Sequence, residues 1–346
     1  MFFLFLLVLF LFVSAVFGSE RFEFEEIQMG VPVRIILYAD SSENTATNST
    51  VQDAAKDAFE CFRVINKTMS DYDSDSELSQ LSDKFNLAGN HQQEGVRVSD
   101  DLFEVLKSAK EMSNISDGAF DITISPLVRL WRRSRRQKEL PKQQYLDQAR
   151  QLVGNHLWTL DETTQRVRLL KPGMKLDLGG IAKGYAIDRA FEAVQKHGIE
   201  IILIDAGGDL RVGKAPPEGW KINLNGQQTV SMENIAMATS GDRFQFVEIN
   251  NVRYSHLIDP KTGLGLTTSC TVHVTAPTAA QADALASAIA VLGAEKGIAL
   301  IETHFTNKNV AVKIILNQTN QVFQSKNWTE NRFSRPKQPK TEPPPK

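Results

Sequence analysis

The chain has 346 residues, 42% hydrophobic and 23% charged, a globular composition long enough for one large domain or two moderate ones. A net charge of −2 and a pI near 6.3 set it apart from proteins that track nucleic-acid phosphates, so no nucleic-acid partner is expected. Its two cysteines, Cys61 and Cys270, make neither a disulfide framework nor a CxxC thiolate metal site.

Residues 2–17 contain one polar residue, Ser14, and are followed by the small Gly18 and Ser19. A membrane span needs about 20 residues, so this run suits the apolar core of a secretory signal better. The basic region that opens such signals is missing, the first cation being Arg21, and an uncleaved anchor over residues 1–18 is the rival reading. No cysteine lies nearby to carry a lipid. Export to a periplasmic or inner-membrane-associated location is expected.

Residues 27–38 (IQMGVPVRIILY) read as a strand, being β-branched and alternating. Residues 51–68 carry apolar side chains at helical spacing, and residues 100–112 repeat the pattern. There Ser99 is a fitting N-cap, and Asp100 and Asp101 favour the positive helix end. Residues 183–197 predict a helix ending at Gly198. Strands are expected at 199–205, 220–224, 244–249, 270–275 and 310–316. Residues 279–292 form the strongest helical pattern, with Thr278 and Gln281 as a capping box and Gly293 as its C-terminal stop. The folded part is taken as 22–325, and residues 334–346, rich in Pro and Lys, as a disordered tail. The irregular mixture favours an α+β fold over a regular βαβ array.

Several short segments invite chemistry, and each has a plainer reading beside it. Asp177-Leu178-Gly179-Gly180-Ile181-Ala182-Lys183-Gly184-Tyr185 opens a helix, where free N–H groups suit an anion, or is only a tight turn. It is neither GxGxxG nor GxxxxGK[ST], so the dinucleotide-fold and P-loop labels do not apply. Ser116-Asp117-Gly118-Ala119-Phe120-Asp121-Ile122-Thr123 places two carboxylates around a turn. An EF-hand begun at Asp71 fails, because Ser76 and Ser82 stand where Gly and Glu are needed. Asp205-Ala206-Gly207-Gly208-Asp209 and Thr239-Ser240-Gly241-Asp242 read as turns of small residues. His256 stands at a strand end before the turn Asp259-Pro260-Lys261-Thr262-Gly263. Asp283 and Ser287, four apart, share a helix face with Ala280, Ala286 and Ala290, either as a dipole-favouring acid and a hydroxyl or as ligands for a hard cation. The run Arg132, Arg133, Arg135, Arg136 reads as a solvated loop.

The order and combination of these segments, from Met29 to about Gly293, resemble the ApbE family of FAD:protein FMN transferases. The resemblance implies a single α+β domain of two merged tunnelling-fold-like halves. It implies an FAD site lined by Met29, Tyr72, Ala119, Phe120, Asp121, Asp177, Lys183 and Ile258, and Mg²⁺ held by the Gly180 carbonyl, Asp283 and Ser287. Ser287 replaces the family's usual Thr but keeps its hydroxyl oxygen. FAD would be the substrate, and FMN would move to a threonine of an acceptor flavoprotein with release of AMP. Subunits of ion-translocating NADH:quinone reductases and related complexes are the partners implied. His256, with an unperturbed pKa of about 6.5, is the candidate base for the threonine hydroxyl. An FAD pyrophosphatase is the alternative the residues leave open. A flavin-storage protein fits less well, because storage needs neither Asp283 nor His256.

Overall fold

Met29 and Gly30 both take positive φ, 50° and 78°, and fold the chain back between two antiparallel strands, β1 (Ser19–Gln28) and β2 (Val31–Asp40). Two successive positive φ values match the right-handed twist of a tight hairpin. The single strand expected over 27–38 is therefore broken at its centre, and residues 19–26, a charged alternating run, belong to the sheet as its edge. In this computed structural model the described residues are 19–40, 46–87, 94–224, 228–242, 245–306 and 309–328. The apolar segment at 1–18 and the Pro- and Lys-rich tail lie outside them. Among the described residues, no helix is long and apolar enough to cross a membrane.

After the hairpin come α1 (Ala46–Met69), α2 (Glu77–Leu87), β3 (Val96–Arg97), α3 (Asp100–Ile115), α4 (Ser125–Gln137) and α5 (Gln143–Arg150). Then follow β4 (Trp158–Asp161), β5 (Arg166–Leu169), α6 (Ala182–Lys196), β6 (Ile201–Ala206) and β7 (Asp209–Val212). The rest comprises β8 (Trp220–Leu224), β9 (Gln228–Met232), β10 (Ile235–Gly241), β11 (Phe246–Ile249), β12 (Val252–Ser255), β13 (Cys270–Ala276), α7 (Ala279–Leu292), α8 (Ala294–His304), β14 (Ala311–Leu316) and β15 (Val322–Gln324). Eight strands form one antiparallel sheet in the order β1-β2-β6-β7-β10-β13-β14-β15.

Both sheet faces are covered, which explains strands that are apolar on both sides. Val33, Ile35 and Leu37 of β2, with Val272 and Val274 of β13, pack against α1, α3, α6 and α7 in the main core. Ile36, Leu203, Leu210, Val212 and Met237 face the other way, against Trp220, Leu224, Val230 and Met232 of the β8–β9 hairpin and Trp328. A third cluster joins Leu127 and Trp131 of α4 and Leu146 of α5 to Val247, Ile249 and Tyr254 of the β11–β12 hairpin. The α+β reading of a single domain thus holds.

The helices expected over 51–68, 100–112, 183–197 and 279–292 appear as α1, α3, α6 and α7. Ser99 Oγ accepts the Leu102 amide, and Thr278 Oγ1 accepts the Gln281 amide at 3.3 Å. Two expectations are corrected. The basic run lies on helix α4, not in a loop: Pro126 sits in its first turn, where no amide is needed, and Leu127 and Trp131 anchor its buried face. The segment from Thr239 to Gly241 is the end of strand β10, not a turn. Its small residues serve close backbone approach, since a Cβ on Gly241 would stand 2.5 Å from the Cys270 carbonyl oxygen on the paired strand. Cys61 and Cys270 are both free.

Candidate functional site

The site begins with how α6 meets α7. A Cβ on Gly184 would lie 2.3 Å from the Ala279 carbonyl oxygen, so only glycine permits this contact. Asp188, one turn further along α6, accepts the amides of Ala279 and Ala280 at 2.8 and 2.9 Å and pairs with Arg211 at 2.8 Å. A carboxylate from a neighbouring helix thereby satisfies the orphan amides that open α7. With α7 so fixed, Asp283 points into the interior and accepts the Gly184 amide at 3.1 Å.

Asp283 is buried, and burial followed by the charge of Asp209 raises its carboxyl to about 7, against the opposing pull of Lys183 and the Gly184 amide. Lys183 forms an ion pair with Asp209, which also accepts the Thr239 amide at 2.9 Å. Although burial works against its charge, the Lys183 ammonium is raised in pKa by Asp209 and Asp283 and stays cationic. Ser287, one turn beyond Asp283, lies with its Oγ 3.4 Å from Ser240 Oγ. The backbone of Gly180 is packed against the same spot: a Cβ there would meet Ser287 Oγ at 3.1 Å and the Phe120 ring at 3.2 Å.

An aromatic and acidic stretch of the wall adjoins these groups. Ala119, Phe120 and Asp121 are buried. Asp121 Oδ1 accepts both the amide and the hydroxyl of Thr123, at 2.8 and 2.6 Å, while burial pushes its pKa up. The Asp177 carboxyl is raised to about 6, first by burial and then by Asp71. Arg132 approaches Asp71 at 2.8 Å and Asp177 at 3.7 Å, with its guanidinium 4.0 Å from the centre of the Tyr72 ring.

His256 completes the circuit. Its Nδ1 lies 3.1 Å from the Gln245 carbonyl oxygen, which only accepts, so Nδ1 carries the proton and Nε2 keeps its lone pair. Burial depresses the pKa, the Gln245 bond opposes this, and the Arg135 cation lowers it further. The imidazole is neutral at pH 7.

A single cavity of about 900 Å³ is lined by Tyr72, Ala119, Phe120, Asp121, Asp177, Gly180, Lys183, His256, Ile258, Asp283 and Ser287. Of the residues singled out in the sequence, Met29 is the exception. It packs on the main core at the hairpin turn, while its neighbour Val31 lines the cavity. Asp209, Arg132, Ser240 and His273 were not singled out as site residues, yet they line the same space. The Asp205–Asp209 segment reads as a turn, and nothing in it marks Asp209 as the partner of Lys183. Among the described residues, no group of three or more His, Cys, Asp or Glu is disposed to hold a metal. At α7 the oxygen set is the Asp283 carboxylate, the Ser240 and Ser287 hydroxyls and the Gly180 backbone, with the neighbouring Asp209 taken up by Lys183.

The sequence pattern of the ApbE family matches residues 29–312. A Klebsiella pneumoniae protein named FAD:protein FMN transferase is 30% identical over 304 residues, 84% of this chain and 90% of the relative. One of the same name from Haemophilus influenzae is 29% identical over 301 residues, 82% and 84% of the two chains. Among solved structures, a histidine-to-glycine mutant of the flavin transferase ApbE from Vibrio cholerae superposes with a TM-score of 0.76 at 27% identity, covering 89% of this chain and 98% of that one. The ApbE protein of Thermotoga maritima gives 0.74 at 27% identity, over 89% and 97%. Family pattern, relatives and fold agree over the same span that builds the cavity, and the chain belongs to the ApbE family.

Proposed function

We propose that this protein moves FMN from FAD onto a threonine hydroxyl of an acceptor protein, releases AMP, and uses Mg²⁺ as cofactor. The relatives' shared name supports the reaction class. The observation that carries the reading is the meeting, in one cavity, of a buried carboxylate beside hydroxyl oxygens with a neutral histidine whose Nε2 is unprotonated. The donor set fits a hard cation: Asp283, Ser287 and the Gly180 backbone offer only oxygen, and few enough ligands to leave positions for phosphate. The Asp283 carboxyl, raised to about 7, gains most from a cation that holds it ionised. When bound, Mg²⁺ there neutralises pyrophosphate charge and stabilises the leaving AMP.

The chain's own groups do the rest. His256 Nε2 accepts the threonine proton as the hydroxyl oxygen bonds to the FMN phosphorus and the bond to the AMP phosphate breaks. Lys183 adds positive charge beside Asp283, and Asp209 orients it. The Phe120 and Tyr72 rings offer faces for the planar parts of FAD. Export belongs to the same proposal, on the strength of the apolar residues 2–17, with electron-transfer complexes such as ion-translocating NADH:quinone reductase as the acceptors. N-terminal sequencing of the fractionated protein tests export, and cytoplasmic recovery with Met1 intact rejects it.

The test of transfer is mass spectrometry of a candidate acceptor subunit after incubation with enzyme, FAD and Mg²⁺. A mass gain of one FMN on a threonine is expected, abolished by chelation. Release of FMN and AMP with the acceptor unmodified would instead make the protein an FAD pyrophosphatase.

A further inference from the structure

Beside the cavity lies a second, open basin of about 810 Å³, lined by Tyr72, Arg132, Arg135, Arg136, Lys138, Phe246, Val247 and Glu248. It shares the wall formed by Tyr72, Arg132 and Arg135 with the cavity, so the two adjoin. Tyr72 is 80% exposed and stands at the junction. Four cations face one acid, Glu248, in a chain whose net charge is −2. Arg132 is taken up by Asp71 and Asp177. Among the described residues, no acid is paired with Arg135, Arg136 or Lys138. The last turn of α4 carries Arg135 and Arg136, and Lys138, at its left-handed C-cap with φ 54°, turns the chain away. The floor is aromatic: Phe246 is partly exposed, and the Arg253 guanidinium, fixed by Asp242, sits 3.5 Å from its ring centre.

Unpaired cations on a rigid helix end persist at a cost in mutual repulsion, which an anionic partner relieves. The proposed reaction demands that a protein segment reach the cavity, and the basin is the basic, solvent-open space that adjoins it. We propose that the basin docks an acidic segment of the acceptor protein, its carboxylates against Arg135, Arg136 and Lys138, so that a neighbouring threonine passes Tyr72 toward His256. This rests on the transferase reading for the identity of the partner, while the docking itself is measurable without turnover.

The probes are two short dye-labelled peptides with one threonine each, flanked by Asp and Glu in one and by Lys in the other. Fluorescence anisotropy reads their binding to the protein, and mass spectrometry reads FMN transfer. The variant is Arg136→Glu with Lys138→Glu, both outside the cavity lining. The parent is expected to bind the acidic peptide at least about tenfold more tightly than the basic one, with the preference shrinking as salt rises. The variant should lose that preference and keep its FAD affinity. Equal binding of the two peptides, or an unchanged preference in the variant, overturns the proposal. Loss of FAD affinity in the variant would reassign the basin to the nucleotide and also overturn it. So would a variant that releases anionic phosphatidylglycerol vesicles but not the peptide. Acidic-peptide binding without FMN transfer would keep the docking surface and count against the transferase reading alone.

Discussion

The Gly184 amide donates to Asp283 Oδ2 at 3.1 Å, tying the first turn of α6 to a carboxylate on α7. Glycine is required at this point for a separate reason, the 2.3 Å between its would-be Cβ and the Ala279 carbonyl oxygen. One residue therefore sets both the separation of the two helices and the direction of the acid between them. Gly184→Ala is expected to destabilise the fold by about 1–3 kcal/mol, the cost of overpacking a closed contact. It should also raise the Mg²⁺ concentration needed for transfer. Urea denaturation and a Mg²⁺ titration check the two effects, and parental values in both would remove the contact from the account.

Asp283→Asn keeps an acceptor for the Gly184 amide while removing the charge. Transfer should fall about 100-fold or more, since even outer partners of metal ligands cost 10–100-fold when lost. Stability moves the other way. The folded carboxyl titrates near 7, above its ordinary value near 3.8, so the folded state holds the proton more firmly than the unfolded chain. Metal-free parent protein should lose stability as pH rises through the window from about 4 to 7, and the Asn variant should not share that loss. Mg²⁺ should raise Tm in the parent at pH 8 and leave the variant unmoved. Thermal melts across pH, with and without Mg²⁺, decide this.

Ser287→Thr retains the hydroxyl and should leave transfer within a few-fold of the parent, whereas Ser287→Ala should shift the Mg²⁺ titration to higher concentration. Ser240 Oγ, 3.4 Å away, is the neighbour positioned to take over part of the role, so Ser240→Ala with Ser287→Ala should cost more than the two single effects added together. Additive effects would separate the two hydroxyls.

His256→Ala should slow single-turnover transfer by about 10²–10⁴-fold while FAD affinity holds. Burial lowers the imidazole pKa below 6.5, so the parent's transfer rate should rise with pH through a midpoint under that value and then level off. The variant's profile should lose that limb. An unchanged profile would assign the proton to another group.

Asp188→Ala removes the cap of α7 and strands Arg211, whose guanidinium is stacked on Phe191. A loss of about 3 kcal/mol is expected, in the range for breaking a buried pair, measured as a shift in the urea midpoint. A loss no larger than that of a surface mutation would mean that water replaces the cap.

The legible parts of this fold were those with strong local signals. Ser99, Thr278, Gly198 and Gly293 mark the ends of α3, α6 and α7 by cap chemistry that acts within a few residues, and α1 shows in its apolar spacing alone. The hairpin at Met29 and Gly30 is hidden because Ile27 and Met29 extend the alternation of Val31, Val33 and Ile35, although Ile27 is exposed and Phe22 and Phe24 carry the packed face of β1. Helix α4 was hidden by its charges: four arginines in five positions outweigh the anchoring of Leu127 and Trp131, which shows only once β11 and β12 pack over them. At the site, the residues drawn together by the family resemblance share one cavity, apart from Met29. In the sequence Asp209 and Ser240 read only as members of small-residue turns, because their roles come from cross-strand and interhelical placement. No local pattern encodes that.

Strand β2 pairs on one side with β1, its immediate neighbour, and on the other with β6, where Arg34 meets Asp205 across 171 residues of sequence. During synthesis the hairpin can close at once, but its second edge, with Ile35, Ile36 and Leu37 upon it, stays bare until more than half the chain has emerged. Loop closure over that span is slow, and an open apolar edge invites pairing with other chains. The topology therefore keeps the nascent protein from completing its main sheet until β6 has emerged. A chain cut before residue 201 would expose this edge permanently and should aggregate, whatever the quality of its helices.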